Sequence, residues 1–254
     1  MQQAVEVTNE RANCRNCDAA LTGKFCSNCG QRDRGGDLDA SELASEAVDS
    51  IVRIDSKLWR TLVELTKNPG AVAKNYANGM RARYVNPLRY CFATVAISIA
   101  ATIYTGEFDA ISERVVFETA IEAAEDPFVR DLNSFILKYL NLMSLLAVPI
   151  YALVLKLLTR RSGYSYASHF SFVCFVLGHG ALLGVLGTLF NSYIYFLGLV
   201  PSLIITNFIY IYGAMRFYDR GIWVSSLLIS AAFTSYVGLI FGLVSAAFML
   251  GFLG

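Results

Sequence analysis

The chain has 254 residues, of which 55% are hydrophobic and 16% charged, and its mean hydropathy is +0.48. Soluble globular domains carry about 25% charged residues, so this composition excludes an ordinary soluble domain. The net charge of +1 gives no reason to expect a nucleic-acid partner, because nucleic-acid-binding proteins present a strongly basic face. Of the 20 acidic residues, 19 precede Phe135, which leaves a lipid-like C-terminal half.

The N-terminal part, residues 1–36, contains four cysteines in two pairs. Cys14 and Cys17 form one Cys-x-x-Cys pair, and Cys26 and Cys29 form a second pair eight residues later. Two such pairs present four sulfurs to one tetrahedral metal ion, for which zinc is the usual occupant. The sequence therefore predicts a structural Zn²⁺ site in a small zinc ribbon. A closed shell of four thiolates leaves no position for a substrate, so we expect an interaction module.

Residues 37–66 predict an amphipathic helix. Apolar residues recur at steps of three and four, and charged residues share the opposite face. Asn68 and Pro69 end the run. Two placements fit this pattern: the helix lies on the membrane surface with Trp59 at headgroup depth, or it packs on a partner. The interfacial placement is the one we favour.

A basic juxtamembrane segment follows over residues 67–87. The stretch from Lys67 to Arg89 holds five basic residues and no acid, and basic charge beside a span marks the cytoplasmic side of a membrane. The residues that we assign to lipid headgroups are Arg81, Arg83 and Tyr84 of this segment and Arg89 just beyond it. Membrane orientation alone accounts for the basic charge, and a lipid-phosphate site formed by the arginines is a sharper hypothesis.

The remainder, residues 88–254, predicts a membrane domain of five transmembrane helices. Its apolar runs are close to or beyond the roughly 20 residues that cross a bilayer as helix. The runs cover about 88–105, 135–158, 167–190, 193–215 and 222–252. An acidic loop, 106–134, separates the first two runs. Five crossings place the two termini on opposite sides of the membrane.

The charges of the connecting segments predict the orientation. Loop 106–134 has eight acids against two arginines, whereas the segments after the second and fourth runs are basic. The basic residues there are Lys156, Arg160, Arg161, Arg216 and Arg220. Basic loops beside membrane spans lie on the cytoplasmic side, and a thiolate zinc site favours a reducing compartment. Both rules place the N-terminus in the cytoplasm. The predicted fold is an all-α polytopic membrane protein, N-terminus in and C-terminus out, with an N-terminal four-cysteine zinc ribbon.

Polar residues inside a membrane are costly and are therefore candidates for function. We assign His169, His179 and Asn207 to a candidate intramembrane polar site. A neutral buried imidazole also serves structure once a carbonyl or hydroxyl satisfies it, so both roles stay open for His179. No Asp or Glu falls in the five runs, which argues against a pump built on intramembrane carboxylates. Phosphate-loop and metalloprotease motifs are absent, so we expect no catalytic activity.

Several motifs together resemble a known family. Cys14-x-x-Cys17 and Phe25-Cys26-x-x-Cys29-Gly30-Gln31 are followed by Pro69-Gly70 and Tyr76-x-x-Gly79-x-Arg81-x-x-Tyr84-x-x-Pro87. This combination resembles a bacterial family of zinc-ribbon membrane proteins, domain of unknown function 3667. Tyr166-x-x-His169 is similar to that family's Tyr-x-Glu-His signature, with Ser168 at the position of the acid. The five-span body is also similar in topology to the Yip family, which is associated with membrane trafficking and lipid-linked processes.

The resemblance implies a zinc-ribbon protein of the bacterial inner membrane and implies no reaction. We expect a non-catalytic protein that handles lipid or another hydrophobic molecule, or that scaffolds a membrane complex. Its partners are then membrane lipids and a cytoplasmic protein docked by the ribbon, and a homo-oligomer is also compatible. The alternative is a small transporter or channel in which His179 lines the path.

Overall fold

In this computed structural model, the described residues are 13–32, 56–105, 146–191 and 200–249. The α-helices among them are α1 Ser56–Lys67, α2 Pro69–Ala77, α3 Pro87–Thr105, α4 described over Leu146–Leu158, α5 Tyr166–Asn191, α6 Val200–Tyr218 and α7 Ile222–Met249. A 3-10 turn, Arg160–Ser162, lies between α4 and α5. Within the described ranges the fold is helical apart from residues 13–32, which hold two isolated β-bridges.

Helix α1 is the described part of the predicted amphipathic helix; residues 37–55 lie outside the described ranges. Its predicted apolar stripe is the buried face, since Leu65 is fully buried and Leu58 packs against the core. Trp59 is 71% exposed. The described part of the apolar stripe therefore faces the chain's own helices α2 and α5, a placement that differs from the membrane surface and the partner expected from the sequence.

Helix α2 lies within the predicted juxtamembrane segment. The Asn68 side chain accepts a hydrogen bond from the Ala71 backbone N–H at 3.1 Å, and Pro69 occupies the first turn. An Asn cap followed by proline is a common helix start. The buried residues of α2 are Pro69, Gly70, Val72, Ala73 and Tyr76. This segment is therefore part of the core as well as a carrier of basic charge.

The core surrounds α5, which packs against α2, α3 and α6. Phe172 of α5 stacks on Phe217 of α6 with ring centroids 4.7 Å apart. Phe175 meets Tyr76 of α2 edge-on at 5.6 Å. Large aromatic rings therefore fill the space between these helices, and such pairs contribute about 0.5–1.5 kcal/mol each beyond burial.

Glycines allow two close helix crossings. A Cβ on Gly178 would lie 2.9 Å from the Cys91 Cα of α3. A Cβ on Gly70 would lie 2.1 Å from the Gly213 carbonyl oxygen of α6. Only hydrogen fits at either position, so these glycines set the distance of α5 from α3 and of α2 from α6.

Three segments meet at one end of the bundle. Lys74 of α2 forms an ion pair with Asp219, which follows α6. Tyr164, which precedes α5, stacks on Phe217 with ring centroids 4.6 Å apart. Helix α2, the connector before α5 and the turn between α6 and α7 are therefore neighbours, and this end carries the basic residues Arg160, Arg161, Arg216 and Arg220.

Helices occur in all five apolar runs. Two of the described helices are long and apolar enough to cross a membrane, Tyr166–Leu186 within α5 and Ile222–Ile240 within α7. The apolar stretches Pro87–Ala101 and Leu146–Leu158 are shorter. Parts of the predicted spans, and the acidic loop 106–134, lie outside the described residues. The described ranges thus support helices at these positions and two candidate spans.

We predict that Gly70→Ala destabilises the protein by about 1–3 kcal/mol, because the added methyl group pushes α2 away from the α6 backbone. The measurement is the midpoint of thermal unfolding in a mild detergent. Gly238→Ala on α7 is the control, since a Cβ there would meet nothing within 4 Å. Equal midpoints for both variants would contradict the close crossing.

Candidate metal centre

The ribbon consists of two turns with the same hydrogen bonds, which we call the first knuckle (residues 13–20) and the second knuckle (residues 25–32). In the first, Cys14 N–H donates to Ala19 O at 2.8 Å, and the equivalent bond in the second joins Cys26 to Gln31 at 2.8 Å. A β-bridge closes each turn, Asn13 with Ala20 and Phe25 with Arg32. The repeat orients both cysteine pairs in the same way.

The fourth residue after the leading cysteine has a positive φ angle in both knuckles. It is Asp18 in the first, with φ 60°, and Gly30 in the second, with φ 71°. The backbone N–H of each donates to the carbonyl of the leading cysteine. This left-handed residue reverses the chain and returns it past the cysteines.

The four sulfur atoms converge. They lie within 4.8 Å of one another, and the cysteines are free thiols. Cys14 and Cys29 are 3.6 Å apart at sulfur, as are Cys17 and Cys26. Four sulfurs at about 2.3 Å from a tetrahedral zinc ion would be about 3.8 Å apart. The predicted ligand set therefore has the geometry of a metal site.

The protonation of the thiols depends on whether a cation is bound. Burial raises the pKa of the Cys14 thiol to about 11. Burial acts in the same direction on Cys29, but hydrogen bonds from the Gln31 backbone N–H and the Asn16 side chain outweigh it and lower the pKa. Four thiolates this close repel one another, so a bound cation is what would hold them deprotonated.

The ribbon lies on the loop between α2 and α3, residues 78–86. The Gln31 side chain donates to Gly79 O at 2.7 Å and accepts from the backbone N–H groups of Arg81 and Ala82 at 3.1 and 3.0 Å. Sequence reasoning missed this contact, although the same residues formed the motif of the family resemblance. Partners 48 to 51 residues apart share no local pattern that would reveal them.

The residues assigned to lipid headgroups have different surroundings. Arg83 pairs with Glu64 of α1 at 2.6 Å, and the buried Tyr84 hydroxyl donates to the same carboxylate at 2.8 Å. Arg81 and Arg89 are half-buried. Arg83 and Tyr84 therefore attach the loop to α1, which leaves Tyr84 no surface for a headgroup.

Glu64 is the acid of this cluster. Burial acts to raise its pKa, but hydrogen bonds from Arg83 and Tyr84 and the charge of Arg83 outweigh it, so the pKa lies below its usual value. The carboxylate therefore stays ionised at neutral pH and keeps both partners. Because Arg83 is half-exposed, solvent screens the pair, and its main effect is to fix the loop position.

His179 is fully buried, and both of its ring nitrogens have partners. Nδ1 lies 2.8 Å from the Tyr90 hydroxyl of α3, and Nε2 lies 3.2 Å from the Thr66 hydroxyl of α1. One imidazole thus connects three helices. This geometry favours the structural role of His179 over a position lining a path.

The other two residues of the candidate intramembrane site lie apart from His179. His169 is ten residues earlier on α5, about 15 Å along the axis, and its Nδ1 lies 2.8 Å from the Tyr218 hydroxyl. It is fully buried, whereas Asn207 is exposed on α6. The structure therefore does not assemble the three residues into one site.

The class of protein defined by these features is a helical protein with two candidate membrane spans and, docked on its bundle, a four-cysteine cluster whose geometry is compatible with a metal site. A family model described as Protein of unknown function (DUF3667) matches residues 55–99. This match confirms the resemblance to that family over α1, α2 and most of α3, whereas the cysteine motifs, the Tyr166-x-x-His169 motif and the Yip-like topology lie outside the matched residues. No curated protein and no solved structure matches the chain.

We predict that the purified protein contains one zinc ion per chain and that Cys26→Ser with Cys29→Ser removes it, because two thiolates are too few to hold a structural site. Elemental analysis by mass spectrometry measures the metal. Cys91→Ser with Cys174→Ser is the matched control, since these thiols lie between α3 and α5. Zinc that persisted in the ribbon variant would refute the assignment.

Proposed function

We propose that this chain is a non-catalytic integral protein of the bacterial inner membrane that scaffolds a membrane complex. In this proposal five helices span the membrane, the N-terminus is cytoplasmic, and the zinc ribbon docks a protein partner. The observation that carries it is a closed four-sulfur site held on the helical bundle through Gln31. A role in handling lipid or another hydrophobic molecule is compatible with the same architecture.

The surface of α7 supports a membrane location. Within the Ile222–Ile240 stretch 17% of the residues are buried, against 61% in the Tyr166–Leu186 stretch of α5. Large apolar side chains such as Leu227, which is 70% exposed, point away from the protein. Soluble monomers rarely expose apolar surface on this scale, so an apolar surrounding such as lipid accounts for it.

One end of the bundle, where α2, the connector before α5 and the turn between α6 and α7 meet, supports a cytoplasmic location of the N-terminus. Asp219 is the only acid after Asp131, and it is paired with Lys74. Arg160, Arg161 and Arg220 are exposed at this end. Excess positive charge at one end of a bundle predicts that it faces the cytoplasm, which is also the compartment that keeps thiols reduced.

The chemistry of the donor set supports zinc as the bound metal. Four thiolates in tetrahedral arrangement suit zinc, which prefers sulfur and has no redox chemistry of its own. All four positions of the metal are then taken by cysteine. A coordinatively closed ion stabilises a fold and does not activate a substrate, which supports a non-catalytic role.

The filled interior supports a scaffold over a conduit. In the described ranges, the space between α3, α5 and α6 is occupied by aromatic side chains including Tyr90, Phe172 and Phe217. His179, the candidate for lining a transport path, forms hydrogen bonds through both of its ring nitrogens. A rigid bundle of this kind is suited to present surfaces.

The exposed aromatic side chain of the second knuckle supports the docking role. Phe25 is 60% exposed, beside the exposed Lys24. An exposed phenylalanine next to a metal-fixed turn is a rigid apolar anchor, and aromatic anchors of this kind dominate protein interfaces. The partner we expect is a cytoplasmic protein with a small apolar pocket.

Membrane topology is directly testable. An alkaline phosphatase fused after Gly254 is expected to be active and a fluorescent protein fused there to be dark, because five crossings place that end outside. Fusions at the N-terminus should give the reverse result. Both termini on one side would exclude an odd number of spans and with it the five-span proposal.

The docking role predicts that Phe25→Ala reduces partner recovery at least about tenfold, since removal of a buried anchor costs about 2 kcal/mol or more. The measurement is quantitative mass spectrometry of proteins cross-linked to the ribbon in cells. Lys24→Ala is the matched control and should retain the partner. Unchanged recovery with Phe25→Ala, at full zinc content, would reject the ribbon as the docking module.

A further inference from the structure

The loop between α2 and α3, residues 78–86, is held from three directions. The ribbon binds its first half through Gln31. Helix α1 binds its second half, where Val85 N–H donates to the Thr61 hydroxyl at 3.1 Å. At its end the Asn86 side chain accepts the N–H of Leu88 at 3.0 Å and so caps α3. The position of the loop therefore sets where α3 begins.

Gln31 connects the metal ligands to this loop directly. Its backbone carbonyl accepts the N–H of Cys26 at 2.8 Å, and its own N–H hydrogen-bonds to the Cys29 sulfur. Both backbone groups of Gln31 are thus held by cysteines of the same knuckle. Its side chain then makes the three hydrogen bonds to Gly79, Arg81 and Ala82. No other residue separates the metal site from the loop.

The first knuckle contacts the same loop. Arg15 lies between two cysteines, and its Cδ would be 2.7 Å from a Cβ on Gly79. Gly79 has φ 103° and no side chain, so the arginine stem packs on bare backbone. Both knuckles therefore contact Gly79, the second through Gln31 and the first through Arg15.

The ribbon has almost nothing else to keep it folded. Cys14 and Cys26 are its only buried apolar residues in the described range. A fold of this size without a hydrophobic core depends on its metal, and the free energy of metal binding is then its folding free energy. The orientation of Gln31 consequently depends on an occupied site.

We propose that the ribbon is a metal-dependent clasp on its own chain, in which bound metal orients Gln31 to hold residues 79–82, and metal loss releases this segment and loosens the start of α3. The inference rests on the proposed metal binding. It assigns Gln31 and Arg15 of the ribbon to an intramolecular contact and leaves the exposed Phe25 side chain for a partner. Metal binding in the ribbon thereby affects the start of α3 in the membrane bundle through the contacts with residues 79–82.

Hydrogen–deuterium exchange of the full chain in lipid nanodiscs tests the clasp. Peptides covering residues 79–85 are followed before and after zinc removal with a chelator, with zinc measured in every sample. We expect exchange at the Arg81 and Ala82 amides to rise about tenfold on chelation, as each loses its acceptor. Peptides from the middle of α5 should not change.

Variants separate the clasp from loss of the fold. Gln31→Ala should show the fast exchange with zinc still bound, and chelation should add no further increase. Gln31→Glu keeps an acceptor for both amides but loses the donor to Gly79 O, so it should protect the amides more than Gln31→Ala and less than the parent protein. Ser27→Ala, at an exposed position of the same knuckle, should behave as the parent protein. Protein that carries no zinc as purified would overturn the proposed metal. If the purified protein carries zinc and its removal leaves the hydrogen–deuterium exchange of residues 79–85 unchanged, the clasp is wrong.

Discussion

At Gly70 the backbone of α2 lies against the backbone of α6, and a Cβ there would lie 2.1 Å from Gly213 O. This contact fixes the position of α2. Loop 78–86 follows α2 directly and leads to α3, which begins at Pro87. Because α1, the ribbon and the start of α3 all hold that loop, their positions follow from the same crossing. A glycine in a short helix therefore determines how the N-terminal assembly sits on the bundle.

The polar side chains of the core serve the same arrangement. Thr61 and Glu64 of α1 bind the loop, whereas Thr66 reaches His179 in α5. Buried hydrogen bonds of this kind contribute little net stability each, but an unmatched partner is costly. They specify one placement of α1 among the many that its apolar stripe would allow.

Local patterns predicted the local structure well. The spacing of Cys14, Cys17, Cys26 and Cys29 predicted a metal site because four ligands within sixteen residues can meet without help from the rest of the fold. The stripe of α1 predicted its buried face. Asn68 with Pro69 was interpreted only as a stop, although the same signal also begins a helix, and α2 was missed for that reason.

The contacts between distant segments could not be predicted in this way. Thr66 and His179 are 113 residues apart, and Lys74 and Asp219 are 145 apart. Such pairs depend on how glycines and aromatic rings pack in the core, which periodicity does not specify. The headgroup role expected for Tyr84 did not anticipate its burial, since a tyrosine beside basic residues is equally suited to lipid and to a neighbouring carboxylate.

The two knuckles differ at the residue with positive φ, and this difference gives them unequal conformational costs of folding. Gly30 adopts the left-handed conformation without steric cost, whereas Asp18 adopts it at a cost of about 1 kcal/mol. The first knuckle therefore folds at a larger conformational cost, which its share of the metal–sulfur bonds must offset. Gln31 lies in the second knuckle, so the residue that holds loop 78–86 belongs to the turn that carries no such cost.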